Sequence, residues 1–165
     1  YFLKIRKDLK ITGIDLAPNM IERAKLNVPN AHFIVKDALK IDELTNTFDG
    51  VVIGFCMPYL NREDCSKLIR SSSEKLYRNG IIYISTMEDD YGKSGYETTS
   101  FGDGKEVYVY YHQEDHIKTE LINNEICLAI FQKTVSFDLA PFQVQGQNEV
   151  PINLEGWSEQ IIYQY

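Results

Sequence analysis

The chain has 165 residues, 44% of them hydrophobic, and its 24 acidic against 17 basic residues leave a net charge of −7. That supplies an apolar core for one domain, which excludes a disordered tail or a coiled coil, and the acidic balance works against a nucleic-acid partner. No apolar run approaches the roughly 18 residues of a membrane span. Cys56, Cys65 and Cys127 show neither metal-ligand spacing nor an even count, which predicts reduced thiols in the cytoplasm and no metal.

In chain order, Tyr1 to Lys10 lacks the long apolar region and cleavage site of a signal peptide. It reads as the last turns of an amphipathic helix, with Phe2, Leu3 and Ile5 inward and Lys4, Arg6, Lys7 and Lys10 forming a solvated basic end. Ile11-Thr-Gly-Ile-Asp15 predicts a short buried strand that ends on a carboxylate and turns at once into a helix over residues 18–27. Pro18 suits the first helical turn, where its missing N–H is not needed, while Ala17 is a weak cap without a side-chain oxygen. A carboxylate at the carboxyl end of a parallel strand faces the crevice where open α/β sheets bind ligands, and it can accept both hydroxyls of a ribose. A solvated strand-end aspartate is the alternative.

Ala31 to Val35 predicts a second strand, closing on Lys36-Asp37-Ala38, and Asp42 to Thr47 a polar connection with a helical turn. Phe48-Asp-Gly-Val-Val-Ile-Gly54 is a continuous apolar run of the kind buried on both faces of a parallel sheet. Asn61 to Tyr77 reads as a helix with Leu60, Cys65, Leu68, Ile69 and Leu76 on one face, Asn61 as its cap and Gly80 as the left-handed residue after its end. Ile81 to Ile84 is the next buried strand. Strands alternating with helices at this spacing predict an α/β protein with a doubly wound, mostly parallel sheet. Asp89 to Lys105 reads as a long, mobile loop, Glu106 to Tyr111 as an alternating strand, His112 to about Asn123 as a helix and Ile126 to Gln132 as a strand. Pro141 restricts Val135 to Val144 to an edge strand at most.

Taken together, these residues resemble the class I S-adenosylmethionine-dependent methyltransferases of the small-molecule type, a Rossmann-like fold. The resemblance rests on Asp15 followed by Met20-Ile-Glu-Arg-Ala-Lys25, on Lys36-Asp37-Ala38, on Phe48-Asp49-Gly50 and on Leu76-Tyr-Arg-Asn-Gly80-Ile-Ile-Tyr-Ile84, in that order. It covers residues 1–133 as a partial methyltransferase domain and leaves 134–165 as a tail of unclear structure. It implies that Asp15 binds the ribose hydroxyls of S-adenosylmethionine, that Leu16 packs on the adenine, and that Asp37 and the Ala38 backbone N–H read the adenine edge. Phe55 and Cys56 would line the methionine end, with ordinary core packing as their alternative. The family's glycine-rich loop has no counterpart here, and its first, central strand should lie between the strands ending at Asp15 and Gly54. A chain without that strand leaves a gap and two unpaired edges. It therefore reads as a fragment that is poorly stable and holds cofactor weakly.

Methyl transfer from a sulfonium is an in-line displacement, and a general base is needed only when a small-molecule acceptor must lose a proton. The candidates are His112, Tyr59 and Glu114. His112 ends a tyrosine-rich strand (Tyr108, Tyr110, Tyr111) that could wall the acceptor, but a capping or surface histidine is the competing reading. Cys56 lacks a basic neighbour that would activate it as a nucleophile. The loop at 89–105 would act as a lid. A nicotinamide-dependent dehydrogenase and a non-catalytic binding module are the rival functions.

Overall fold

The sequence opens on a strand–helix–strand unit. β1 (Lys10–Asp15) and β2 (His32–Val35) pair in parallel, with Asp15 level with Val35, and α1 (Pro18–Asn27) connects them. This computed structural model describes residues 6–98, 106–126, 129–133 and 160–164. α1 starts at Pro18 after an Ala17 that makes no side-chain cap, and its inner face packs Ile21 and Ala24 with Phe33.

β3 (Phe48–Gly54) buries Phe48, Val51 and Ile53, as its continuous apolar run requires. α2 (Arg62–Glu74) begins where the Asn61 side chain accepts from the Asp64 backbone N–H at 2.9 Å. Its inner face, Cys65, Leu68 and Ile69, meets Ile82 and Ile84 of β4 (Leu76–Thr86) in the main core. Full burial of such aliphatic side chains contributes about 1.5–3 kcal/mol each. β5 (Gly95–Thr98) and β6 (Glu106–Val109) form a separate antiparallel pair, and α3 (Glu114–Asn123) packs Ile117 and Leu121 into the core. β7 (Ala129–Lys133) pairs with β4, and β8 (Gln160–Gln164) pairs on both sides, with β1 and with β3. Among the described residues the main sheet has the order β2-β1-β8-β3-β4-β7, every pairing parallel. The protein is mixed α/β.

The expected central gap is therefore not found. β8 lies in it, so β1 and β3 expose no facing edges and their N–H and C=O groups have a strand on each side to pair with. Within the stretch read as a tail, residues 160–164 form a strand in the middle of the sheet. The edge strand expected at Val135 to Val144 lies outside the described residues, as does the N-terminal helix as far as residue 5. The basic stretch that follows is a turn at Lys7 and Asp8 leading into β1, with Arg6 paired to Asp8.

Several boundaries also move, among them the end of the tyrosine strand, at Val109 and not Tyr111, and the start of β7, at Ala129 and not Ile126. The second helix stops at Glu74 and β4 begins at Leu76, so Leu76 is a strand residue level with Phe48. The next pair in that ladder is Gly50 with Ile81, which makes residues 77–80 an excursion from the strand. Its left-handed residue is Asn79, with φ 68°, and not Gly80. Gly80 answers a different need: a Cβ there would stand 2.9 Å from Leu76 Cδ2, 3.0 Å from Leu76 Cβ and 3.0 Å from the Tyr77 carbonyl oxygen. Gly80→Ala is expected to cost about 1–3 kcal/mol through this overpacking. A urea midpoint equal to wild type would remove that contact as its reason.

The stretch from Asp89 is not one loop. Tyr91–Lys93 forms a 3₁₀ turn capped by the Asp90 carboxylate, and β5 follows at once. The helix expected from His112 starts two residues later, at Glu114.

Candidate functional site

The strand ends that the alternating pattern aligns set the geometry. Asp15 closes β1, and its Oδ1 accepts from the Ala17 backbone N–H at 2.7 Å, which turns the chain into α1. Asp37 follows β2 and caps the 3₁₀ turn Ala38–Glu43, Oδ1 accepting from the Leu39 N–H at 2.9 Å. Both carboxylates are half-buried at the carboxyl edge of adjacent strands, each with one oxygen engaged in its turn. Leu16 stands 70% exposed beside Asp15, whereas Ala38 is buried, so only its backbone can serve a ligand.

Gln164 of β8 is level with Ile14 on one side and Ile53 on the other, which puts Asp15 level with Gly54 across two strand spacings. At the spacing of a sheet that is about 10 Å. Phe55 is one residue further out, with a left-handed φ of 53°, and the residue is 39% exposed. Its N–H donates to the Ser85 carbonyl at 3.0 Å and to Ser85 Oγ at 3.2 Å. Cys56, half-buried, precedes the 3₁₀ turn Met57–Tyr59. Asp15, Leu16, Asp37, Phe55 and Cys56 thus share one edge of the sheet.

His112 is elsewhere in character. It is fully buried, and its Nε2 lies 3.0 Å from both the Met57 and Leu60 carbonyl oxygens. Two acceptors at one nitrogen require that nitrogen to carry the proton, so the ring is the Nε2–H tautomer and donates to both. Nδ1 has no hydrogen-bond partner among the described residues. Burial pushes the imidazole below its ordinary pKa, the two carbonyls oppose that, and His116 and Arg62 add to it. His112 N–H donates to the Met87 carbonyl and Tyr110 N–H to that of Pro58, so residues 110–112 stitch the turn after β3 to the exit of β4. Tyr59, on that turn, is 62% exposed. Glu114 is ion-paired with Lys118 at 2.5 Å.

The tyrosines do gather. Tyr91 and Tyr110 stack with centroids 6.1 Å apart, Tyr108 meets Tyr110 at 4.8 Å and Tyr96 at 5.2 Å, and the Arg62 guanidinium lies 4.2 Å over the Tyr91 ring. Tyr111 binds the Glu97 carboxylate, a hydrogen bond that, with burial, pushes its phenol up to about 12. Beside them a cavity of about 420 Å³ is lined by Glu88, Asp89, Asp90, Gln113, Glu114 and Asp115. Sequence reasoning singled out Glu114 alone from that cavity and missed Ser85 and Arg62; five carboxylates clustered at 88–90 and 114–115 were the available signal. Cys65 is fully buried, which raises its thiol to about 12 and leaves it inert.

The profile of a family described as a methyltransferase domain matches residues 1–80. Those residues are similar to that family's domain. They carry β1, β2, β3 and α2, hence both carboxylates and Phe55. A demethylmenaquinone methyltransferase of Thermotoga maritima is 30% identical over 76 residues, which are 46% of this chain and 32% of that protein. The chain thus spans about a third of the length of the curated relative it matches. The tyrosines of the cluster and the residues lining the acidic cavity lie beyond the matched residues 1–80. No helix among the described residues is long and apolar enough to cross a membrane.

Proposed function

We propose that the protein transfers a methyl group from S-adenosylmethionine to a small-molecule acceptor on a Rossmann-like sheet. The observation that carries this is the pair Asp15 and Asp37 at the carboxyl ends of adjacent parallel strands within the matched methyltransferase domain. The donor set suits an adenosine: one carboxylate oxygen left for vicinal hydroxyls at Asp15, an exposed Leu16 for an adenine face, and Asp37 with the Ala38 N–H for the base edge. When bound, the cofactor supplies an activated methyl on a sulfonium. Phe55 and Cys56 would border its methionine end, and the acceptor would approach from the side of Tyr59 and the tyrosine cluster.

His112, buried and tied to two carbonyls, holds the turn that carries Tyr59 instead of reaching a substrate. Tyr59 is then the exposed candidate for a proton transfer. The five carboxylates around the cavity would repel a nucleic-acid or other polyanionic acceptor. Reduced thiols at Cys56 and Cys65 fit a cytoplasmic setting.

Asp15→Ala is expected to weaken S-adenosylmethionine binding by about 1.5–3 kcal/mol, the range for a hydrogen bond to a charged group. Asp37→Ala should act less strongly, since it removes one contact to a neutral amino group. Calorimetric titration decides: unchanged affinity at Asp15→Ala removes it from the site, and a larger loss at Asp37→Ala reverses the two assignments.

A further inference from the structure

Along β6 and just past it, Val107 and Val109 fall on one side of the chain and Tyr108 and Tyr110 on the other. Val109 is buried, and Tyr111 spends its hydroxyl on Glu97, which is level with Val107, so that side faces the body of the protein. The tyrosine side faces out. Tyr96 of β5 stands opposite Tyr108, the two residues 72% and 39% exposed. The solvent face of an antiparallel ribbon is ordinarily polar. This one carries rings in a continuous ladder, Tyr96 on Tyr108, Tyr108 on Tyr110 and Tyr110 on Tyr91. Stacking on neighbours accounts for Tyr110 and Tyr91, which are half-buried, and not for the exposed pair.

What lies at the inner end of the ladder says which ligand suits it. The Arg62 guanidinium sits 4.2 Å over the Tyr91 ring, held by Gln113 at 2.9 Å, so the ladder already seats one cation of the protein's own. Tyr91 follows Asp90, which lines the acidic cavity of about 420 Å³ together with Gln113 and Asp115. Lys93 pairs with Asp89 and Lys118 with Glu114, and Asp90 and Asp115 still keep that lining negative. Aromatic faces and carboxylates attract the same class of ligand, and a cavity of this size takes a small molecule. Its place suits an acceptor: Glu88 lies three residues beyond Ser85, which is level with Gly54 at the sheet edge that carries Asp15. We propose that the tyrosine face and the acidic cavity form the acceptor subsite, and that the acceptor is an organic amine held as its ammonium ion. This rests on the proposed methyl transfer. On transfer the ammonium releases a proton to solvent, the freed nitrogen pair takes the methyl carbon, and the C–S pair stays with sulfur. A methylated ammonium and a neutral thioether result.

The test is ligand-observed NMR titration of the whole protein with choline and with 3,3-dimethylbutan-1-ol, its neutral carbon isostere, beside calorimetric titration with S-adenosylmethionine and S-adenosylhomocysteine. Choline is already quaternary, so its binding is read apart from any transfer. It should bind at least about fivefold more tightly than the isostere. Tyr96→Leu and Tyr108→Leu keep an apolar side chain and remove the π face; each should weaken choline binding by about two- to fivefold and leave the isostere within about twofold. Asp115→Asn should weaken choline alone by about two- to fivefold, an effect that fades in about 1 M salt. Beside the methyl group, choline should also bind about twofold or more tightly with S-adenosylhomocysteine present than with S-adenosylmethionine, whose sulfonium repels it. Equal affinities for choline and its isostere, or binding of neither, overturn the inference while the nucleoside titrations leave the proposed function standing. Choline affinity indifferent to which nucleoside is bound overturns the acceptor role. If the protein binds neither nucleoside, the proposed function falls, and the acceptor role with it.

Discussion

Replacing Ile162 with proline is expected to abolish the cooperative unfolding transition, or to lower stability by at least about 3 kcal/mol. Ile162 is level with Thr12 on one side and Val51 on the other, in the middle of a strand with neighbours on both edges. Proline has no N–H to give to either ladder and is confined to edges and bulges in sheets. A chain ending at residue 159 should fare worse. It would leave β1 and β3 facing each other across the width of a strand, with two rows of unpaired peptide groups and an opened sheet. Net stabilities are only about 5–15 kcal/mol, so losing a central strand removes most or all of it. Thermal melts followed by circular dichroism compare the three chains. A truncated chain that melts cooperatively at the wild-type temperature would show that β8 is dispensable to the sheet.

Much of the first half was legible because its signals are local. Pro18 after a weak cap, Asn61 three residues ahead of Asp64, and the seven-residue apolar run at Phe48–Gly54 each name an element, and each lands where expected. The place of Asp15 was legible too, since a strand that ends on an acidic residue presents it at the carboxyl edge.

What was not legible depends on distant partners. Gln160 to Gln164 is too short to declare itself, and its place between β1 and β3 follows from two parallel ladders that no local pattern encodes. Gly80 was read as a helix terminator because helices commonly end on glycine, yet its smallness serves a close approach to Leu76 and Asn79 takes the left-handed turn. β5 was hidden by flanking glycines and polar residues, and its pairing with β6 supplies what its composition lacks. His112 shows the same limit at the site. A histidine between a tyrosine strand and an acidic helix start looks like a surface or catalytic group, and only the fold puts two carbonyls on its Nε2.

That buried imidazole should make the protein sensitive to acid. In the folded chain burial holds the His112 pKa below its ordinary value, with His116 on α3 and Arg62 on α2 adding like charge. In the unfolded chain it titrates near about 6.5. Above that pH both states carry a neutral ring, and the Nε2–H bonds to Met57 and Leu60 contribute in full. As pH falls through about 6.5, the unfolded chain takes up a proton that the folded chain refuses, so unfolding gains free energy until the lowered native pKa is reached. Stability is thus present above the unfolded pKa and lost on the acid side. His112→Gln, which cannot titrate, should lose less stability than wild type between about pH 7.5 and pH 5. His112→Ala should be destabilised by about 2–4 kcal/mol at pH 7.5, from two carbonyls left without their donor and the space the ring filled. Urea denaturation at both pH values measures each. Parallel pH dependence in wild type and His112→Gln would assign the acid sensitivity to other groups, and a near-neutral His112→Ala would mean that the turn after β3 holds itself.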